Sequence, residues 1–304
     1  MINDYVNKLI ENLPDNIKNR KTPEEIDLVL DGGVFNGSYH VGALYFLKEM
    51  ERRKYIKINR ISGCSVGSIV AFLYYIDGLD LMPKLYHIIS TEFKGSMQLS
   101  CLKEIKKHIE ERIPKDICEK INDKLYISCN NIKTGEKVVK STYKSIDDVI
   151  ETVIKSSFVP YLIDGNLLYK NKYVDGMIPF IFKERINKIL YLDLYGSDKV
   201  GFLLNVKNEK TNFHRILSGL LDIHAFYIKQ SNTSMCSYVN DWNYGLKAFN
   251  NLKLLIEKLC IYIIHCIIYI KTKVPEEFKE NILYKIIAKI SYDVFVIILE
   301  NYCF

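Results

Sequence analysis

The chain has 304 residues, 48% hydrophobic and 26% charged, enough apolar material for one large buried core and too much for a disordered chain. Its formal net charge of +6 suits a surface that meets anionic headgroups. No Lys/Arg block is dense enough for a nucleic-acid reader, so nucleic acid is excluded as a partner.

Met1 to Leu13 sets Ile2, Tyr5, Val6, Leu9, Ile10 and Leu13 at helical spacing, and Pro14 closes the segment. The spacing predicts an amphipathic helix that docks on the domain or lies on a membrane surface. Lys8 and Glu11 interrupt its apolar run, which argues against a secretory signal, and no Gly follows Met1 for myristoylation. Residues 1–25 are read as this helix and a linker, and the expected location is intracellular, cytoplasmic or peripheral to a membrane, not secreted. The eight cysteines carry no C-x-x-C pair and no zinc spacing, so they read as reduced thiols, and neither a metal nor another cofactor is expected. For the same reason the sequons at Asn36 and Asn232 are expected to stay unglycosylated.

Ile26 to Leu30 reads as a core strand, followed by a turn over Asp31-Gly32-Gly33-Val34-Phe35-Asn36-Gly37 and a helix from Tyr39 to Met50. Glycines in such a turn free backbone N–H groups beside a helix N-terminus, where negative charge is stabilised. The spacing fits neither G-x-G-x-x-G nor G-x-x-x-x-G-K-[ST], which argues against a phosphate loop. Next comes Gly63-Cys64-Ser65-Val66-Gly67, the G-x-S-x-G pattern, between a strand ending at Arg60-Ile61-Ser62 and an apolar helix beginning near Ile69. A serine on so tight a strand-to-helix turn exposes its hydroxyl, and small residues two before and two after it are a steric requirement. Cys64 reads as a small apolar filler or a redox handle.

Leu79 to Cys118 reads as mixed-charge helices, and Lys124 to Cys129 with Lys137 to Thr142 reads as an antiparallel hairpin around Gly135. Ser145 caps a helix over Ile146 to Ile154 that runs into Ser156-Ser157-Phe158-Val159-Pro160. Leu167 to Val174 is β-prone and delivers Asp175-Gly176 at a strand end, where site residues of open α/β sheets gather. A serine hydroxyl needs a base within roughly 2.6–3.2 Å. A carboxylate serves as that base when partial burial raises its proton affinity. Asp77-Gly78 and Asp164-Gly165 are further Asp-Gly pairs, so the dipeptide by itself reads equally as a turn. Lys188 to Leu194 completes the pattern as a further parallel strand.

Asp31-Gly32-Gly33 with Gly37 and Gly42, Gly63-x-Ser65-x-Gly67, Ser156-Ser157-x-x-Pro160, and Tyr173-Val174-Asp175-Gly176 with Pro179 together resemble the patatin-like phospholipase family, in that order. The resemblance runs from Ile26 to Leu194. It implies a three-layer α/β/α sandwich with a mostly parallel sheet over residues 26–200, and a lipid acyl hydrolase working through a serine–aspartate dyad without histidine. Carried over by residue, Ser65 is the nucleophile and Asp175 the base. The turn amides at Gly32, Gly33 and Val34, with Val66, form the oxyanion hole, and the substrate is a phospholipid or another acyl lipid. Three departures stand out: Val34 replaces a usual third glycine, Asn36 a usual Arg or Lys, and Met177 a usual small residue. They motivate an alternative, a lipid- or membrane-binding protein with weak turnover.

Beyond Gly201 the pattern predicts a helical extension over residues 201–304. Phe213 to Tyr238 reads as helix and contains His214 and His224. These keep open a rival α/β-hydrolase triad in the order Ser65, Asp175 or Asp193, His. Leu259 to Ile270 is uncharged but shorter than the roughly 20 residues of a spanning helix. After Pro275, Ile282, Ile286, Ile287, Ile290, Val294 and Ile297 form the apolar face of a last helix. These helices pack on the core, form a homodimer interface, or lie in a bilayer interface.

Overall fold

A computed structural model describes residues 2–184, 186–206, 209–273, 275 and 281–303. Among the described residues seven strands form one mixed sheet. They are β1 (Glu24–Leu30), β2 (Ile56–Cys64), β3 (Leu125–Asn131), β4 (Glu136–Lys140), β5 (Tyr173–Val174), β6 (Lys188–Leu192) and β7 (Cys236–Tyr238). The order is β4-β3-β2-β1-β6-β7, with β1 parallel to both β2 and β6, and β2 parallel to β3. β4 and β5 pair antiparallel with β3, and β7 pairs antiparallel with β6. Parallel strands buried on both faces read as near-continuous apolar runs, as Ile26 to Leu30 and Ile189 to Leu192 do.

The helices are α1 (Ile2–Glu11), α2 (Asp15–Lys18), α3 (Gly37–Arg52), α4 (Val66–Tyr75), α5 (Met82–Ser96), α6 (Ile105–Ile109), α7 (Ile117–Ile121), α8 (Ile146–Ser156), α9 (Phe213–Lys229), α10 (Tyr244–Lys273) and α11 (Ile282–Cys303). Leu28 and Leu30 point into the main core with α3, α4, α8 and α9, while Val29, Ile189 and Tyr191 point to the other face. There Phe182 and Trp242 cover them, and farther along Ile264 of α10 packs on Ile132 and Val174. The sheet is thus flanked by helices on both faces, as a mixed α/β fold requires. α1 docks through Val6 and Ile10. α3 and α9 cross closely at two glycines, since a Cβ on Gly42 would lie 1.9 Å from Ile216 O and one on Gly219 1.9 Å from Tyr39 O.

Two elements differ from expectation. The β-prone run before Asp175 gives only the two residues of β5, because Lys170 and Asn171, at φ 49° and 55°, turn the chain within it. The helix over Phe213 to Tyr238 ends at Lys229, where Gln230 is left-handed, and Cys236–Tyr238 instead joins β6 as an edge strand. The uncharged run Leu259 to Ile270 is the middle of the 30-residue α10. Among the described residues no helix is long and apolar enough to cross a membrane.

Candidate active site

β1 and β2 lie side by side, so the turns leaving them meet at one end of the sheet. Ser65 sits between β2 and α4 at φ 50°, ψ −131°, a left-handed conformation rare for any residue but glycine. The flanking glycines are obligatory. A Cβ on Gly63 would lie 2.6 Å from Gly67 O, and one on Gly67 would lie 2.5 Å from Leu30 O. Ser65 is 5% exposed, and its Oγ donates to Asp175 Oδ2 at 3.1 Å, across 110 residues of sequence.

The Ser156-Ser157 segment is the clamp between these two residues. Ser65 N–H donates to Ser156 Oγ at 2.9 Å, and Ser156 Oγ in turn donates to Ser128 O at 2.7 Å. Gly176 N–H donates to Ser156 O and Asp175 N–H to Phe158 O. The end of α8 therefore sets the serine turn and the aspartate loop against one another. Gly176 must be glycine, because a Cβ there would lie 2.2 Å from Ser128 O.

Burial pushes the Asp175 carboxyl up to about 7, against the Ser65 hydrogen bond and the Met177 and Gly176 amides, which favour the ionised form. Met177 N–H lies 3.4 Å from Asp175 Oδ1. The carboxylate is accordingly poised to exchange a proton near neutral pH.

The glycine turn partly departs from expectation. Gly32 N–H donates to Asp31 Oδ1 at 3.0 Å, so it is not a free oxyanion donor. The preceding carboxylate has folded back onto it. Phe35 N–H is taken by Leu203 O. Among the described residues the N–H groups of Gly33, Val34 and Val66 have no acceptor, and the last begins α4, where the helix dipole favours negative charge. Asn36 is turned away from this space. It donates to Lys199 O and accepts from Arg215 Nη1 at 2.6 Å. Arg215, completely buried on α9, thus stands behind the position where the resemblance led one to expect a cation.

A narrow apolar slot of about 40 Å³ opens at Ser65. Val66, Ile69, Met82, Leu85 and Leu102 line it. Its walls are almost free of polar surface.

Neither histidine of the rival triad reaches Asp175 or Asp193. His214 pairs with Glu209 at 3.2 Å, and His224 packs edge-on against Phe46 of α3. Asp193 accepts from Tyr195 N–H at 2.7 Å and faces Lys253 at 3.5 Å. The buried Cys64 thiol is held well above its ordinary range by burial, which suits the filler reading. Among the described residues no three His, Cys, Asp or Glu side chains are gathered as metal ligands would be.

Sequence reasoning missed the polar groups that α10 brings in. Lys253 Nζ lies 2.6 Å from Asp31 Oδ2 and 3.0 Å from Tyr191 Oη. Glu257 accepts from Asn130 Nδ2 at 3.1 Å, and the same amide donates to Asp175 O at 3.0 Å. The available signal was a Lys–Glu pair at i and i+4, Lys253 and Glu257, among the leucines of α10.

A family model described as patatin-like phospholipase matches residues 28–179. The mouse omega-hydroxyceramide transacylase is 28% identical over 148 residues, covering 46% of this chain and 24% of that protein. The mouse 1-acylglycerol-3-phosphate O-acyltransferase Pnpla3 is 26% identical over 152 residues, covering 47% of this chain and 37% of that one. The chain therefore spans well under half the length of these relatives. Among solved structures, VipD from Legionella pneumophila aligns with a TM-score of 0.32 at 15% identity, over 54% of this chain and 48% of that chain.

Proposed function

The chain belongs to the patatin-like phospholipase family, and from that premise we propose that it cleaves the acyl ester of a lipid, most simply a phospholipid or lysophospholipid, through an acyl-serine intermediate. The observation that carries this reading is the 3.1 Å hydrogen bond from Ser65 Oγ to Asp175 Oδ2 at the mouth of the apolar slot.

Asp175 takes the Ser65 proton as Oγ attacks the ester carbonyl, and the carbonyl π pair moves onto oxygen. Gly33, Val34 and Val66 N–H groups receive that oxyanion, each such donor being worth on the order of 3 kcal/mol. The tetrahedral adduct collapses, the C–O bond to the leaving alcohol breaks, and the alcohol takes the proton from Asp175. An acceptor then gives its proton to Asp175 and attacks the acyl-serine, and the second collapse returns the proton to Ser65. With water as acceptor the product is a fatty acid.

A second acceptor is favoured by one specific finding, that relatives of this chain are named a transacylase and an acyltransferase. An alcohol on another lipid would balance the same step, giving a new ester.

The lipid surface itself is the expected partner, met through α10. Leu252, Leu255, Leu259, Tyr262 and Ile263 are each at least half exposed. The only acid on that helix, Glu257, is buried, while Lys247, Lys258, Lys271 and Lys273 are exposed. An apolar stripe with cations alone beside it is complementary to an anionic bilayer interface. The experiment is product analysis by mass spectrometry after incubation with phosphatidylcholine or lysophosphatidylcholine, with and without an alcohol acceptor. Fatty acid or a new ester is expected from the parent protein and not from Ser65→Ala. Vesicle binding without turnover would favour a lipid-binding protein instead.

A further inference from the structure

We infer that α10 is a positioning element for the reaction: Lys253 fixes the glycine turn through Asp31, and Glu257, one turn later, fixes the loop that carries Asp175. The inference rests on the roles assigned to Ser65 and Asp175 under Proposed function.

Asp31 is completely buried at the end of β1. One carboxylate oxygen holds Gly32 N–H at 3.0 Å; the other takes Lys253 at 2.6 Å and the Tyr191 hydroxyl at 2.9 Å. The carboxylate thus joins the peptide plane entering the turn to a cation more than two hundred residues away in sequence. Pinning that plane fixes how the chain leaves β1 into the turn that carries Gly33 and Val34, the proposed oxyanion donors. The ammonium also lies 4.9 Å from the Tyr191 ring centre and 5.3 Å from those of Tyr195 and Phe249, and 3.5 Å from Asp193. Its place is therefore over-determined.

Glu257 does the equivalent for the base. One oxygen accepts from Asn130 Nδ2 at 3.1 Å, and that amide donates to Asp175 O at 3.0 Å. The other pairs with Lys137 Nζ at 2.8 Å, and Lys137 donates to Ile178 O at 2.8 Å. The loop from Asp175 to Ile178 is held at both ends through one carboxylate.

A packing helix has no need of this arrangement. Burying Lys253 and Glu257 costs desolvation, while Leu255 and Leu259 of the same helix stay exposed. Over this stretch of α10 a buried Lys253 and Glu257 beside exposed leucines is the reverse of ordinary helix burial. It is what a helix would carry if one side organises the site and the other meets lipid.

The test compares the full-length parent with Lys253→Met, Lys253→Arg, Glu257→Gln and the charge-neutral pair Asp31→Asn/Lys253→Met. The readouts are kcat and KM on soluble 4-nitrophenyl butyrate, and amide hydrogen exchange of peptides covering residues 31–36 and 173–179. Lys253→Met is expected to lower kcat by on the order of 10- to 100-fold at unchanged KM. It is also expected to speed exchange in the 31–36 turn while α3 and β2 exchange as before. Lys253→Arg recovers most of the rate, and Glu257→Gln speeds exchange in 173–179. A folded Lys253→Met protein with parental kcat and parental exchange overturns the inference. Where Lys253→Met alone fails to fold, the double variant decides, and parental kcat in it has the same force. A parent protein without esterase activity would count against the proposed function only, and the exchange comparison would still decide the positioning role.

Discussion

Titration of Asp175 is expected to govern the rate. Burial lifts its carboxyl from an ordinary 3.8 to about 7, and only the ionised form can take the Ser65 proton across the 3.1 Å bond. With a midpoint near 7, the ionised fraction is ~0.9 at pH 8 and ~0.01 at pH 5. Thus kcat/KM on a soluble ester is expected to fall roughly 100-fold between them, along a single-proton curve. The assay is initial-rate hydrolysis of 4-nitrophenyl butyrate from pH 5 to 8.5, corrected for buffer-catalysed hydrolysis. A flat profile, or a midpoint near 4, would refute the reasoning. The same shift has a sign for stability. A folded carboxyl that holds its proton more tightly than the unfolded one contributes stability that is complete below pH 3.8 and is lost as the pH rises through about 7. Asp175→Asn escapes that loss. Its Tm is expected to equal the parent's near pH 4 and to exceed it at pH 8, even though its hydrolysis is gone.

Gly67→Ala places a Cβ 2.5 Å from Leu30 O and 2.6 Å from Asp31 O; a loss of about 2 kcal/mol or more in urea unfolding is expected, and parental stability would contradict the tight elbow. Leu102→Trp adds bulk to the slot that Leu102 lines together with Ser65 and is expected to shift preference from long to short acyl esters, read as kcat/KM across a chain-length series. The pair Leu255→Glu/Leu259→Glu alters two side chains more than half exposed on α10; vesicle co-sedimentation is expected to drop while hydrolysis of a soluble ester stays within about twofold.

Legibility in the sequence followed the locality of the physics. The elbow was readable because its constraint is steric and short-range: Gly63, Ser65 and Gly67 crowd one another and the end of β1. Ser156 and Ser157 were readable as a motif, though what Ser156 does, joining the Ser65 and Gly176 amides, needed three dimensions. Asp175 was one Asp-Gly pair among several. Asp77 turns out to pair with Lys48 and Asp164 with Lys103 at the surface, and only Asp175 meets a serine. That the Gly32 amide is taken by the Asp31 carboxylate is not written in the glycine pattern of the turn. Lys253 and Glu257 showed only as a charged pair at i and i+4, since their partners lie 222 and 127 residues away in sequence and a lysine on an exposed helix ordinarily reads as solvated. β7 escaped because three residues are too few to carry a period.

The central claim is that Ser65, and no other side chain, becomes acylated with Asp175 as its base. Exposure of the full-length protein to a fluorophosphonate, followed by peptide mass spectrometry, tests it most directly. The account predicts one adduct on Ser65, absent in Ser65→Ala and formed far more slowly in Asp175→Asn. An adduct on another residue, or labelling of Asp175→Asn at the parental rate, would contradict it.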